Sequence, residues 1–165
     1  MEHVYFMAEA YALAERALAA GEAPVGCVVA YQNKIVGRGM NCRNAKKNAL
    51  FHAELLAINE ASVFFNDWRL EGATLYVTVE PCPMCAGAIL QARISELVYG
   101  AENKKAGCCG SVVDLFAETK FNHRVKVTGG IMKQECALLM SGFFSGLRDK
   151  RKDARDDLLI DGAGE

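Results

Sequence analysis

The chain has 165 residues, of which 52% are hydrophobic and 24% are charged, and its formal net charge is −1. This length and composition predict one globular domain with a sizeable core and exclude a disordered chain. The near-neutral charge neither favours nor excludes a nucleic-acid partner, which would have to bind a local basic patch.

The hydrophobic pattern predicts helices and strands that alternate along the chain. The first elements are an amphipathic helix that ends near Gly21 and a β-hairpin with its turn at 32–34. Segment 41–50 is polar and has no period, so we expect a loop. The later predicted elements are a helix from His52, a buried strand over 73–79, a helix from Cys85, a strand over 96–101, a strand from Arg124 and an amphipathic helix with a basic end from Gln134.

An opening hairpin followed by alternating strands and helices predicts a layered α/β domain with a mixed sheet. We assign residues 1–155 to this single domain, including its basic C-terminal helix, and expect residues 156–165 to form a disordered acidic tail. No apolar run approaches the ~18 residues of a membrane span. The N-terminal segment carries acidic residues and no basic leader, unlike a signal peptide.

The chain contains seven cysteines, an odd number that does not suggest a small disulfide-rich frame. We therefore expect a reducing compartment, the cytoplasm, where a close cysteine pair more often binds metal or takes part in catalysis. Such a pair, Cys82 and Cys85, lies directly after the predicted buried strand. The others are interpreted as small core or near-surface residues: Cys27, Cys42, Cys108, Cys109 and Cys136.

Taken alone, the Cys82-x-x-Cys85 pair has three interpretations: a redox pair, half of a structural zinc knuckle, or two ligands of a catalytic metal. A knuckle needs a second such pair, and the sequence has none. A thioredoxin-like pair would be expected early in a βαβ pattern, without the prolines that flank this one. A helix start stabilises thiolates through its free N–H groups and its dipole.

The triplet His52-Ala53-Glu54 also lies at a predicted helix start and can supply a third ligand. A catalytic zinc typically has three protein ligands and one water, whose pKa it lowers. Glu54 follows His52 by two residues and so is better placed to move protons beside such a water than to bind the metal. By itself an H-x-E triplet is more often a surface feature. Its combination with P-C-x-x-C at 81–85 is a known signature of the zinc nucleobase deaminases.

From Tyr5 to Arg148 the sequence resembles the bacterial tRNA-specific adenosine deaminases. The resemblance rests on the zinc motif within "TLYVTVEPCPMCAGAILQARI" and on shorter strings in the same order: "APVGCVV", "GRGMN", "KAGCCGS", "FNHRV" and "FFSGLR". It implies a three-layer cytidine-deaminase-like fold, with a five-stranded mixed sheet between helices. It also implies a homodimer that converts adenosine to inosine at the wobble position of a tRNA anticodon loop, in arginine tRNA.

The resemblance implies specific roles for residues of this chain. One zinc per subunit would be bound by His52, Cys82 and Cys85, and Glu54 would transfer protons. The implied substrate-binding residues are Asn41, Ala53, Pro81, Asn103, Lys105 and Ser111. Given this family, phosphate contact becomes the favoured interpretation of five basic residues: Arg124, Arg148, Lys150, Arg151 and Lys152. Two alternatives stay open, a deaminase of free guanine or cytidine and a non-catalytic RNA-binding relative, although the retained Glu54 argues against the latter.

Overall fold

The computed structural model describes residues 2–161, with the side chains of residues 2–155. Five helices occur in this part of the chain: α1 Glu2–Ala19, α2 Arg43–Lys46, α3 Ala53–Phe65, α4 Pro83–Gln91 and α5 Lys133–Asp161. The same part of the chain contains five strands: β1 Gly26–Tyr31, β2 Lys34–Met40, β3 Thr74–Val79, β4 Glu96–Ala101 and β5 Lys126–Gly129. None of the described helices is long and apolar enough to cross a membrane.

The strands form one mixed sheet in the order β2-β1-β3-β4-β5. Strand β1 is antiparallel to both of its neighbours, whereas the β3–β4 and β4–β5 pairs are parallel. The β1–β2 hairpin turns at Gln32 and Asn33, whose φ angles of 48° and 60° match the twist of the flanking strands. The predicted hairpin and five-stranded mixed sheet are therefore confirmed.

Helices cover both faces of the sheet because successive strand residues point to opposite sides. Cys27 and Val29 of β1 pack in a core with α3 and α4. Val28 and Ala30 of the same strand pack in a second core with α1 and the start of α5. The predicted three-layer arrangement is thus confirmed, with the sheet buried between the two helical layers.

Two glycines of β2 set the distance between the sheet and α3. A Cβ atom on Gly39 would overlap the backbone of Ala53 and Ala57, and one on Gly37 would overlap that of Ala57 and Ala61. Side chains larger than hydrogen would therefore push α3 away from the sheet. This close packing fixes the first turn of α3, which carries part of the site described below.

Two local features differ from the sequence prediction. The predicted loop at 41–50 contains the single-turn helix α2, whose C-cap, Lys47, has a left-handed φ of 49°. Helix α5 continues to Asp161 and so enters the segment predicted to be a disordered tail. No glycine or proline interrupts the chain between Gly146 and Gly162, which permits this continuation. Residues 162–165 lie outside the described residues, and the domain boundary at 155 stays a prediction.

Candidate active site

Two helix starts carry the motif residues. His52 is the N-cap of α3, and Cys82 is the N-cap of α4, both in extended backbone conformations. Pro83 occupies the first turn of α4, where its missing N–H has no helical partner to lose. Because α4 begins just beyond the end of β3, its cysteines lie at the carboxyl edge of the central strands. The start of α3 lies beside this edge and brings His52 to the cysteines.

The three predicted ligands form a compact cluster. Their donor atoms, His52 Nδ1 and the two thiol sulfurs, lie within 4.8 Å of one another. His52 Nδ1 is 3.7 Å from Cys82 Sγ and 3.5 Å from Cys85 Sγ. Tetrahedral zinc with usual bond lengths would separate a nitrogen and a sulfur ligand by about 3.6 Å. The donor set and these distances therefore fit a zinc ion bound by one imidazole and two thiolates.

The electrostatics of the cluster favour a thiolate at Cys82. A hydrogen bond from Cys85, followed by contact with His52, lowers the pKa of Cys82 to about 4. The same hydrogen bond and burial raise the pKa of Cys85. The hydrogen bond with Cys82 raises the pKa of His52. A bound cation would favour the deprotonated forms of Cys85 and His52, since thiolates and neutral imidazole are the forms that bind metal.

Glu54 lies in the first turn of α3 with only 4% of its surface exposed. Its Oε2 atom has no hydrogen-bond partner among the described residues. Burial raises the pKa of this carboxyl group. A buried carboxylate oxygen without a partner is energetically costly, which is typical of a group retained for catalysis.

The cluster opens into a pocket of about 730 Å³. Its walls are the loop after β2, the loop after β4 and one face of α5, which contributes Lys133 and Phe144 among others. Four basic side chains line it: Arg43, Lys104, Lys105 and Lys133. Lys133 pairs with Glu102, whereas the other three have no ion-pair partner within the described part of the chain. The pocket therefore combines a histidine–cysteine cluster that could hold a metal ion with four basic side chains in its lining.

Similarity to known proteins agrees with this geometry. A family described as MafB19-like deaminase matches residues 1–148. The chain is 44% identical over 153 residues to the tRNA-specific adenosine deaminase of Bacillus subtilis, which covers 93% of this chain and 95% of that protein. It is 42% identical over 147 residues to the enzyme of that name from Haemophilus influenzae, covering 88% and 85% of the two chains.

The chain belongs to the tRNA-specific adenosine deaminase family. A solved structure from work on A-to-I editing by tRNA:A34 deaminases at the wobble position of transfer RNA is 36% identical to this family member. The two superpose with a TM-score of 0.78 over 82% of this chain and 98% of that one. A guanine deaminase from Nitrosomonas europaea has a TM-score of 0.70 at 19% identity, over 85% and 83% of the two chains, which shows a shared fold alone.

Four of the six predicted substrate-binding residues of this deaminase line the pocket: Asn41, Ala53, Asn103 and Lys105. The Asn41 amide donates to the carbonyl of Ala23, and its Oδ1 accepts from the backbone N–H of Arg43. Asn103 Oδ1 accepts from the N–H groups of Lys105 and Ala106. Both asparagines therefore also hold the loops that form the pocket walls.

The other two predicted substrate-binding residues, Pro81 and Ser111, do not line the pocket. Pro81 accepts the backbone N–H of Cys108 through its carbonyl at 2.9 Å, and it is the flanking Glu80 and Cys82 that reach the pocket. The Ser111 hydroxyl donates to the Glu80 carboxylate. Their roles in substrate binding stay predictions, and in the structure both residues take part in hydrogen bonds within the protein.

The basic residues predicted to contact phosphate all lie outside the pocket. The Arg124 guanidinium donates to the carbonyls of Glu118 and Thr119 and thus braces its own loop. The other four follow Phe144 along the exposed part of α5: Arg148, Lys150, Arg151 and Lys152. At 1.5 Å per residue, Lys152 lies roughly 12 Å farther along the helix than the pocket-lining Phe144.

Two buried glutamates were not singled out from the sequence. Glu22, 2% exposed, accepts backbone N–H groups of Ala45 and Asn44 at 2.7 and 3.2 Å. Glu80, 1% exposed, accepts hydrogen bonds from the loop after β4. Burial alone would raise the pKa of Glu80, but hydrogen bonds from Ser111 and backbone N–H groups outweigh it and lower the pKa. The sequence signal that could have indicated them is their position, since Glu22 closely follows a helix and Glu80 directly follows a buried strand.

Proposed function

We propose that this chain hydrolyses adenosine to inosine and ammonia at the wobble position of a tRNA anticodon loop. The observation that carries the proposal is the His52, Cys82 and Cys85 cluster, which lies in a pocket with four basic side chains in its lining. Glu54 lines the same pocket, and its Oε2 atom has no hydrogen-bond partner among the described residues. The similarity to enzymes named tRNA-specific adenosine deaminase supports the same substrate.

We assign one zinc ion per subunit to His52, Cys82 and Cys85. When bound, zinc would supply Lewis acidity and lower the pKa of a water molecule, as it does in hydrolytic enzymes with three protein ligands. Two of the ligands, His52 and Cys82, are helix N-caps, and this placement restricts the motion of their donor atoms. The imidazole and the thiolates are oriented by backbone that is itself tied to the sheet.

Glu54 would move the protons that the reaction requires. Hydrolysis adds water across C6 of adenine and releases ammonia, so a proton must pass from the attacking water to the leaving amino nitrogen. The free Oε2 of Glu54 is available to accept this proton and return it. Its burial excludes bulk water, which would otherwise compete for the proton.

The pocket walls would orient an RNA substrate. We propose that Asn41, Ala53, Asn103 and Lys105 contact the flipped-out nucleoside or its neighbours, with support from their positions around the pocket. Phosphates would be attracted by the pocket cations and by the exposed basic residues along α5. A free base offers no phosphate to such a surface, which favours RNA over the guanine or cytidine alternative. An anticodon loop suits the site because its bases are splayed out at low cost.

We further propose that the enzyme acts in the cytoplasm on arginine tRNA and works as a homodimer. The homodimer is consistent with apolar side chains exposed at and beyond the end of α3, with exposed fractions of 76% for Val63, 60% for Phe64 and 53% for Trp68. Sedimentation equilibrium at micromolar concentration should give twice the 17.9 kDa chain mass. A concentration-independent monomer would contradict the homodimer.

The deciding experiment compares ammonia release from an arginine-tRNA anticodon hairpin with release from free adenosine, cytidine and guanine. The proposal expects turnover of the hairpin alone, together with inosine at the wobble position. Turnover of guanine or cytidine but not of the hairpin would support the small-molecule alternative. Stable hairpin binding without any ammonia release from a zinc-loaded protein would support a non-catalytic RNA-binding role.

A further inference from the structure

Glu80 joins the two parts of the proposed site. It follows β3 directly, two residues before the ligand Cys82, and its own N–H donates to the carbonyl of Ala101 at the end of β4. Only 1% of the residue is exposed. Its carboxylate faces residues 102–111, which we call the rim loop and which carry the pocket-lining Asn103 and Lys105.

Both carboxylate oxygens of Glu80 accept hydrogen bonds from the rim loop. Oε2 accepts the N–H of Asn103 at 3.0 Å and the hydroxyl of Ser111. Oε1 accepts the N–H groups of Cys109 at 2.8 Å and of Ser111 at 3.1 Å. Four donors thus satisfy one buried charge, and Glu80 has no cationic partner among the described ion pairs. A glutamine could not replace it, because its amide nitrogen would face N–H donors.

Gly107 shows how closely the rim loop packs on this carboxylate. A Cβ atom at Gly107 would overlap the carboxylate carbon and Oε2 of Glu80. The φ angle of Gly107 lies outside the left-handed region, so close contacts with Glu80 and with the backbone carbonyl oxygen of Asn103, and not the backbone conformation, require glycine here. The loop is tied a second time by the hydrogen bond from the Cys108 N–H to the Pro81 carbonyl.

We propose that Glu80 is a positioning residue, whose buried carboxylate holds the rim loop so that Asn103 and Lys105 meet the RNA around the reacting base. The proposal rests on the proposed function and deepens it. The metal ligands and Glu54 do not accept or donate in this network, so loss of the Glu80 carboxylate acts mainly on substrate binding. A merely structural role would lower thermal stability without separating KM from kcat.

The test measures steady-state kinetics with the anticodon hairpin, zinc content, and amide hydrogen exchange of the rim loop in the full-length protein. Glu80→Gln is expected to speed exchange in 103–111 and to raise KM about tenfold, or ~1.4 kcal/mol, with kcat within about threefold of wild type and zinc retained. Glu96→Gln is the matched control, since this carboxylate pairs with Lys126 on the sheet, away from the rim loop. It should change neither the amide exchange of the rim loop nor KM.

Ser111 keeps the proposal testable if Glu80→Gln fails to fold, because Ser111 is exposed and substitutions there should not disturb the core. Ser111→Ala removes one of the four donors and should raise KM by about threefold. Ser111→Thr retains the hydroxyl and should keep KM near the wild-type value. Gly107→Ala should reproduce the effect of Glu80→Gln, and Gly146→Ala, which meets nothing within 4 Å, should not.

Unchanged rim-loop exchange and KM in Glu80→Gln and Ser111→Ala would overturn the proposal. A loss of zinc and kcat with unchanged KM would also overturn it, by assigning Glu80 to the metal-binding turn alone. If the wild-type protein does not deaminate the hairpin, the proposed function fails. The exchange measurement would still decide whether Glu80 positions the rim loop.

Discussion

The substitution Gly39→Ala should damage the site by displacing helix α3 from the sheet. The new methyl group would overlap backbone atoms of Ala53 and Ala57, which cannot rotate out of its way as a side chain could. Helix α3 would have to retreat by roughly 1 Å to restore normal contact. His52, the N-cap of that helix, and Glu54, in its first turn, would move with it.

The magnitude follows from the kind of atoms that collide. Overpacking a core costs about 1–3 kcal/mol, and we expect the upper end because backbone must shift. In a protein of this size, ~3 kcal/mol lowers the melting temperature by about 6–12 °C. A misplacement of ~1 Å in catalytic groups also costs about 100-fold in rate.

Differential scanning calorimetry and the ammonia assay would measure both effects on the zinc-loaded protein. Gly87→Ala in α4 is the matched control, because its Cβ atom meets nothing within 4 Å. Alanine at that helical position should stabilise the fold by about 0.5–1 kcal/mol. A Gly39→Ala protein with wild-type melting temperature and turnover would refute the inferred contact between β2 and α3.

Four further perturbations test the remaining assignments. Glu54→Ala should reduce turnover by at least about 100-fold while zinc content stays near wild type; lost zinc would contradict the division of roles. Chelation should lower the melting temperature, since free zinc at 100 times its Kd stabilises the native state by about 2.7 kcal/mol; an unchanged value would argue against a bound metal. Neutralising the four basic residues of α5 (Arg148, Lys150, Arg151 and Lys152) should weaken hairpin binding and reduce the salt slope by ~0.7 per lost phosphate contact, and an unchanged slope would contradict their role. Glu22→Gln should accelerate amide exchange at Asn44 and Ala45, whose N–H groups the carboxylate accepts, and leave exchange in 102–111 unchanged; equal effects on both loops would mean global destabilisation.

The His52, Cys82 and Cys85 cluster and the neighbouring Glu54 could be located from the sequence because a donor set of this kind depends on local pattern. His52 and Glu54 lie at one helix start, and Cys82 and Cys85 lie at another. A metal site is the interpretation that best explains this combination of residues. The order of helices and strands was also readable, since it follows from the period of apolar residues. The structure agrees with these predictions at the ligand cluster, in the hairpin and in the five-stranded mixed sheet.

Other features depend on contacts between residues far apart in the chain. The hydrogen bonds of Glu80 reach 23–31 residues ahead, and those of Glu22 reach 22–23 residues ahead. Sequence pattern does not show which distant groups pair with each other, so neither glutamate was singled out from the sequence. For the same reason the hydrogen bond from the Ser111 hydroxyl to Glu80 could not be predicted from the sequence.

The sequence by itself determined which groups can hold zinc and move protons, because donor chemistry and helix starts are encoded within a few residues. Only the tertiary structure decided what surrounds them. The packing of β2 glycines against α3 places His52, and the folding of α5 over the pocket adds Lys133 and Phe144 to its wall. Buried carboxylates then fix the loops at the mouth. These arrangements arise from long-range packing and hydrogen bonding, which exist only once the sheet and its two helical layers have assembled.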